Sequence, residues 1–207
     1  HVLFRRQRQM CIRDRGVTEE EIRASVIAVP GLKTSAHLGL KLAWGDCQIA
    51  FVPFDEIIPR VLDGTYLSGL IIHEGQLTYV DHDLDVHIDL GKWWNARTPN
   101  WPMPLGGNVV RRDLGEEVMQ DITKYTKMSI EHALRSPEDA LEFAKAWGRG
   151  IDDETNKEFV GMYVNDRTID YQQEGRDSVR LFIKEGQEIG MIRSDFDTVS
   201  MRFIGEP

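Results

Sequence analysis

Cysteine is nearly missing from this chain: Cys11 and Cys47 are the only two among 207 residues. Two cysteines at that separation form neither a metal-ligand pattern nor a disulfide framework, which excludes the small stapled scaffolds and favours a reducing compartment. No run approaches the roughly 18 consecutive apolar residues of a membrane span. A soluble, cytoplasmic globular protein with no membrane partner is therefore expected. Positive charge is also scarce: 25 Lys and Arg against 34 Asp and Glu leave a formal charge of -9 and a pI near 5.2. That balance argues against a general nucleic-acid surface. Internal repeats, low-complexity tracts and long linkers are absent too. The hydrophobic content of 41% is enough for a core, in one large domain or two small lobes.

His1 to Arg15 runs against this balance, with five arginines and one aspartate. It lacks the apolar stretch of about 7 to 15 residues and the small-residue cleavage site of a secretory signal. A basic arm for nucleic acid or lipid, or a mitochondrial-type targeting peptide, are alternative readings of such a segment. Gln7 to Arg15 instead looks like translated adaptor read-through. Residues 1–15 are accordingly expected to be a non-native basic arm, with the native chain entering near Gly16, part-way through a gene.

From there the pattern alternates. Thr18 before Glu19, Glu20 and Glu21 predicts a capped short helix. Ser25 to Val29 reads as a buried strand, ended by Pro30-Gly31, and Thr34-Ser35-Ala36 opens a helix to about Trp44. Gln48 to Pro53 is a strand and Phe54 to Leu62 a short helix, with Pro59 tolerated in its first turn. Leu67 to Ile72 is the next strand. Strands alternating with helices in this way predict a parallel sheet with right-handed crossovers. His82 to Leu90 alternates polar and apolar residues as a strand with one wet face. Asn100 to Arg112, rich in Pro and Gly, reads as a crossing between lobes, and beyond it the pattern is helical: Leu114 to Arg135, Ser136 to Trp147-Gly148, about Asp153 to Tyr163 and Glu174 to Glu185.

The organising stretch is Gly69-Leu70-Ile71-Ile72-His73-Glu74-Gly75, an apolar run that ends in a histidine, a carboxylate and a glycine. Parallel sheets present ligand-facing groups at the carboxyl ends of their strands, so His73, Glu74 and the Pro30 to Ala36 turn are expected around one crevice. His73 is a candidate proton acceptor because imidazole titrates near neutrality; the alternative is a hydrogen-bonded structural histidine. Glu74 is a candidate to orient the ring, although adjacent strand residues point to opposite faces. Thr34, Ser35 and Ala36, at a helix N-terminus, form a candidate anion site, against the alternative that Thr34 or Ser35 merely caps the helix. His82, Asp83, Asp85, His87 and Asp89 match no ligand spacing and read as solvated residues, so no metal is expected. Trp93 and Trp94 either wall a pocket or pack between helix and sheet.

Six ordered words give the chain a resemblance. They are Ile27-Ala28-Val29-Pro30-Gly31 with Thr34-Ser35-Ala36, Val52-Pro53-Phe54-Asp55-Glu56-Ile57, the Gly69 to Gly75 stretch, Asp89-Leu90-Gly91-Lys92-Trp93-Trp94, Pro104-Leu105-Gly106-Gly107-Asn108 and Met162-Tyr163-Val164-Asn165-Asp166-Arg167-Thr168. Together they resemble the menaquinone-biosynthesis family of the futalosine branch, on its 1,4-dihydroxy-6-naphthoate synthase side. The resemblance implies an α/β, type II periplasmic-binding-protein-like fold, two α/β lobes around a cleft, with the first lobe incomplete. Residues 16–105 would be the second lobe, and residues 106–207 the hinge and the C-terminal helical part of the first. It implies a lyase that needs no cofactor and converts cyclic dehypoxanthine futalosine to 1,4-dihydroxy-6-naphthoate. His73 would be the base, Thr34 and Ser35 the carboxylate cradle, and Gly106, Gly107 and Asn108 hinge contacts. The partner would be a small carboxylated substrate and the protein a monomer or homodimer. A solute-binding protein of an ABC-type transporter, built on the same lobes, is the alternative, and the sister enzyme that dehydrates chorismate a third.

Overall fold

A computed structural model describes residues 10–14, 16–145 and 152–205. Its centre is a five-stranded sheet in the order β3-β2-β4-β1-β5. In chain order these are β1 (Met10–Asp14), β2 (Val26–Val29), β3 (Gln48–Phe51), β4 (Ser68–Ile71) and β5 (Leu84–Asp89). β2 pairs in parallel with β3 and with β4, through crossovers that contain α2 (Ser35–Trp44) and α3 (Ile57–Leu62). Ala28 lies opposite Gly69, so β2 and β4 finish at the same end of the sheet.

β1 is antiparallel to both of its neighbours, β4 and β5. Met10–Asp14, part of the segment expected to be a non-native basic arm, is a strand of the sheet. The physical reason is that β4 and β5 each offer an open ladder, and ladder hydrogen bonds are made by backbone groups, whatever side chains the strand carries.

Alternation assigns the two faces. Ile27, Val29 and Leu70 point into a core completed by Ile22 of α1 (Glu19–Ala24), Ala36, Leu38 and Leu40 of α2, Leu90 and Trp94 of α5 (Leu90–Arg97), Met103, and Phe182 of α10 (Gln172–Glu188). Ala28 and Ile71 point the other way, against Val52, Ile57, Ile58, Val61 and Leu84. α3 lies so close that a Cβ on Gly69 would overlap Ile57 Cγ2, which is why the organising stretch begins with glycine. Pro59 is the third residue of α3, where a missing N–H costs no helical bond. Thr18 and Glu21 cap α1 reciprocally, as their spacing predicts.

The paired tryptophans pack a helix. Trp94 is fully buried and meets Phe182 edge to face at 5.2 Å. Its indole Nε1–H donates to Ser178 Oγ at 2.8 Å, and that hydroxyl donates to the Pro102 carbonyl at 2.6 Å. At the rim, Arg97 holds Glu185 through two bonds of 2.7 and 2.8 Å and lies over the Trp93 ring. These contacts dock α10 onto α5 and fasten the linker between α5 and the later helices.

Three helices were not legible in the sequence: α4 (Gly75–Thr78), α5 and α9 (Asp166–Ile169). β5 begins at Leu84, two residues later than the polar–apolar alternation suggests, because Asp83 takes a left-handed conformation (φ 60) after a 3-10 turn at Tyr79–His82. The other elements are α6 (Glu116–Arg135), α7 (Pro137–Lys145) and α8 (Asp153–Tyr163); the expected helix end at Trp147-Gly148 lies outside the described residues. α6 buries Met119 and leaves Val118, Ile122, Tyr125 and Met128 exposed. Among the described residues no helix is long and apolar enough to cross a membrane.

Ser178→Ala leaves a buried indole N–H and a carbonyl without their shared partner, at about 1–3 kcal/mol per unpaired group. The urea midpoint is expected to fall with an unchanged slope, whereas an unaltered midpoint would show that the relay contributes nothing.

Candidate active site

After Ile71 the chain leaves the sheet and turns at once into the short α4. The turn places the His73 ring against the Phe54 ring, centroids 5.6 Å apart, with its side chain about five-sixths buried. The Gly75 N–H donates to His73 Nδ1 at 3.0 Å. A Cβ on Gly75 would stand 2.5 Å from Ile58 Cδ1 and 2.8 Å from His73 Cε1. Only glycine lets the imidazole and α3 approach this backbone together. The Glu74 carboxylate lies 3.6 Å from Nδ1, longer than a hydrogen bond but within ion-pair range. Strict alternation would separate these neighbours; it no longer applies because Glu74 already has helical dihedrals.

A ring nitrogen that accepts from an N–H carries no proton itself, so neutral His73 has its proton on Nε2. His37 has the opposite arrangement. Its Nδ1 lies 3.1 Å from the Leu32 carbonyl, an acceptor only, so Nδ1 carries the proton and Nε2 the lone pair. His37 is buried in the first turn of α2, edge-on to Phe51 at 6.1 Å.

Behind the His73 turn lies a pair that sequence reading passed over. Gln76, 2% exposed, donates from Nε2 to Tyr163 Oη at 2.8 Å, and that phenol donates to the Ile72 carbonyl at 3.5 Å. Burial raises the Tyr163 pKa above the ordinary phenol value, the Gln76 hydrogen bond opposes the rise, and the Glu74 charge adds to it. The phenol therefore stays protonated at neutral pH.

At the neighbouring strand end, Thr34 is the N-cap of α2. Its hydroxyl accepts from the His37 N–H at 3.2 Å and donates to the Gly31 carbonyl at 2.9 Å, which is the capping role. Ser35 Oγ donates to the Leu105 carbonyl at 2.5 Å, tying α2 to the linker. The Ala36 side chain is fully buried, so only its backbone amide belongs to the helix terminus. Thr34, Ser35, Gly106, Gly107 and Asn108 line one cavity of about 1940 Å³, together with His37, α6 and Tyr171. Seven basic and three acidic residues line it, inside a chain of formal charge -9. His73 and Glu74 are not in that lining. The predicted site residues thus fall into two groups at one sheet end, the His73 turn after β4 and a cavity with a mainly basic lining beside α2.

His37 and Gln76 carried no sequence signal beyond their neighbours, Thr34 and Gly75, and Tyr163 lay within a recognised word without a role. Among the described residues no group of His, Cys, Asp and Glu is arranged to hold a metal.

A parallel sheet with one antiparallel strand inserted and helices in its crossovers defines a mixed α/β protein. The fold overlaps a periplasmic sulfonate-binding protein from Methylobacillus flagellatus, with a TM-score of 0.63 at 12% identity over 92% of this chain and 61% of that one. The chain belongs to the menaquinone biosynthesis family, whose model matches residues 11–188. It is 36% identical to a 1,4-dihydroxy-6-naphthoate synthase of Thermus thermophilus over 80% of this chain and 60% of that protein. A second synthase of that name, from Streptomyces coelicolor, is 28% identical over 84% of this chain and 64% of the relative. The chain thus spans about three-fifths of the length of these curated relatives. A crystal structure of a protein from Archaeoglobus fulgidus matches with a TM-score of 0.84 at 37% identity, over 89% of this chain and 69% of that one.

Nitrogen-15 spectra of the neutral imidazoles are expected to show His73 as the Nε2–H tautomer and His37 as the Nδ1–H tautomer. The same tautomer at both would overturn the assignment. Gly75→Ala is expected to shift the His73 signals and leave those of His37 in place.

Proposed function

We propose that the protein carrying this chain is a lyase of menaquinone biosynthesis that converts cyclic dehypoxanthine futalosine to 1,4-dihydroxy-6-naphthoate, with His73 as general base. The substrate is a small carboxylated molecule and the setting the cytoplasm. The observation that carries the reading is the His73 turn itself: an imidazole at the carboxyl end of a buried strand, braced by the Gly75 amide and with a carboxylate 3.6 Å from Nδ1. Family membership supports the same reading.

For His73 to take a substrate hydroxyl proton through Nε2, that nitrogen must present its lone pair. The proton then resides on Nδ1, and Glu74 is the group within reach to receive that N–H and to stabilise the imidazolium that follows. Removal of the hydroxyl proton leaves an alkoxide that collapses to a carbonyl; the adjacent carbon–carbon bond breaks with its electron pair on the departing carbon, which takes back the proton held by the His73 imidazolium. The protein supplies position and charge: the N-terminus of α2 and the basic lining of the cavity favour a carboxylate. The apolar positions left exposed on α6 support a reading in which further chain, present in the longer relatives, covers that face and completes the cleft.

A second reading is favoured by one feature, the separation of the cationic cavity from His73. A solute-binding protein for a carboxylated molecule needs that cavity and no base.

Turnover of cyclic dehypoxanthine futalosine by the full-length protein decides between them. His73→Asn is expected to lower kcat by about 100- to 10,000-fold while ligand affinity changes by a small factor. Absence of product from the unaltered protein, with saturable binding of a carboxylated ligand, would overturn the lyase and leave the binding protein.

A further inference from the structure

We propose that Gln76 determines specificity at the His73 site: its side-chain carbonyl accepts a hydrogen bond from a hydroxyl or N–H of the ligand, and Tyr163 fixes the amide in the orientation that makes it an acceptor. The inference rests on the reading of the His73 turn as the reactive centre.

The argument is one of hydrogen-bond polarity. The Ile72 carbonyl can only accept, so the Tyr163 hydroxyl, 3.5 Å away, donates to it. With its proton committed there, the phenol can only accept from Gln76, whose Nε2 lies 2.8 Å from Oη. An amide is planar and two-ended; once its NH₂ is directed at Tyr163, Oε1 is the end left over. That oxygen is buried and has no hydrogen-bond partner among the described residues, in a side chain only 2% exposed. Buried acceptors are almost always satisfied, and an acceptor held in place beside a reactive turn fits a donor that arrives with the ligand. Gln76 also moves with the base, because its backbone N–H donates to the His73 carbonyl at 2.9 Å. The Tyr163 phenol, kept protonated by its burial, can donate and accept at the same time.

This arrangement makes the pair a filter. A ligand group that donates at Oε1 is accepted; one with the donor removed leaves the carbonyl buried and unpaired, and rejection of that kind is the strong form of discrimination. Tyr163 has no contact with ligand in this scheme. It is a positioning residue that acts through Gln76.

Two measurements test the proposal. In the nitrogen-15-labelled chain, the Gln76 side-chain amide, identified by its loss in Gln76→Leu, is expected to exchange slowly with solvent and to exchange quickly in Tyr163→Phe. Unchanged exchange in Tyr163→Phe would overturn the orienting role. By calorimetry on the full-length protein, affinity for cyclic dehypoxanthine futalosine is compared with that for analogues in which single hydroxyls are replaced by hydrogen. One analogue is expected to bind roughly tenfold or more weakly, and that ratio is expected to fall to near one in both Gln76→Leu and Tyr163→Phe. Ratios retained in Gln76→Leu, or a water molecule on Oε1 in crystal structures both with and without ligand, would overturn it. Binding does not require proton removal, so the two readings fail separately. Absence of product with a collapsed ratio sinks the lyase alone, and product with an unchanged ratio sinks the Gln76 filter alone.

Discussion

A buried indole N–H must find an acceptor, and the way Trp94 finds one organises much of this molecule. Its acceptor, Ser178, comes from α10, more than eighty residues later in the chain, and hands the hydrogen bond on to Pro102. One hydroxyl therefore fixes a helix of the sheet layer, a helix of the C-terminal part and the linker between them. Met103, the next linker residue, is buried in the same core, and two residues further on the Leu105 carbonyl is held by Ser35. The exposed Gly106 to Asn108 segment begins where this series of anchors ends. Its position over the N-terminus of α2 follows from the packing of Trp94, although no atom of Trp94 reaches the cavity.

The sheet layer was largely legible because burial on both faces writes continuous apolar runs such as Ile27 to Val29 and Leu70 to Ile72, and turn residues bracket them. Capping was legible for the same reason of locality: Thr18 with Glu21 and Thr34 before α2 both act within three residues. α5 was hidden because Asp89, which caps it, also ends an alternating strand, and one residue cannot announce both roles to a reader of pattern. The close approach of Glu74 to His73 was hidden because it depends on where the strand gives way to a helical turn, a boundary that apolar content does not mark. Gln76 and Tyr163 are 87 residues apart, and no local pattern connects them.

The two histidines show what geometry adds to residue identity. His37 is buried and His73 mostly so, and each bonds a backbone group through Nδ1, yet one bonds an amide and the other a carbonyl. In the neutral rings Nε2 is therefore a donor in His73 and an acceptor in His37. A base at His73 therefore has to exchange tautomers before it acts, and the neighbouring carboxylate gives that exchange a direction. His37 needs no such exchange, and it lines the cavity beside the N-terminus of α2.

The antiparallel strand in the middle of the sheet has a mechanical meaning. β4 and β5 do not pair with each other, so in backbone terms the sheet is two pieces stitched along β1: a parallel triplet that carries the His73 turn, and a single strand that leads into α5 and hence into the α10 anchorage. Side chains bridge the two pieces across the core, but the ladder crosses at this one thread. Its local opening would expose two sheet edges at once and slacken the connection between the His73 turn and the helix that secures the linker. The seam is thus the line along which the molecule would part first under load.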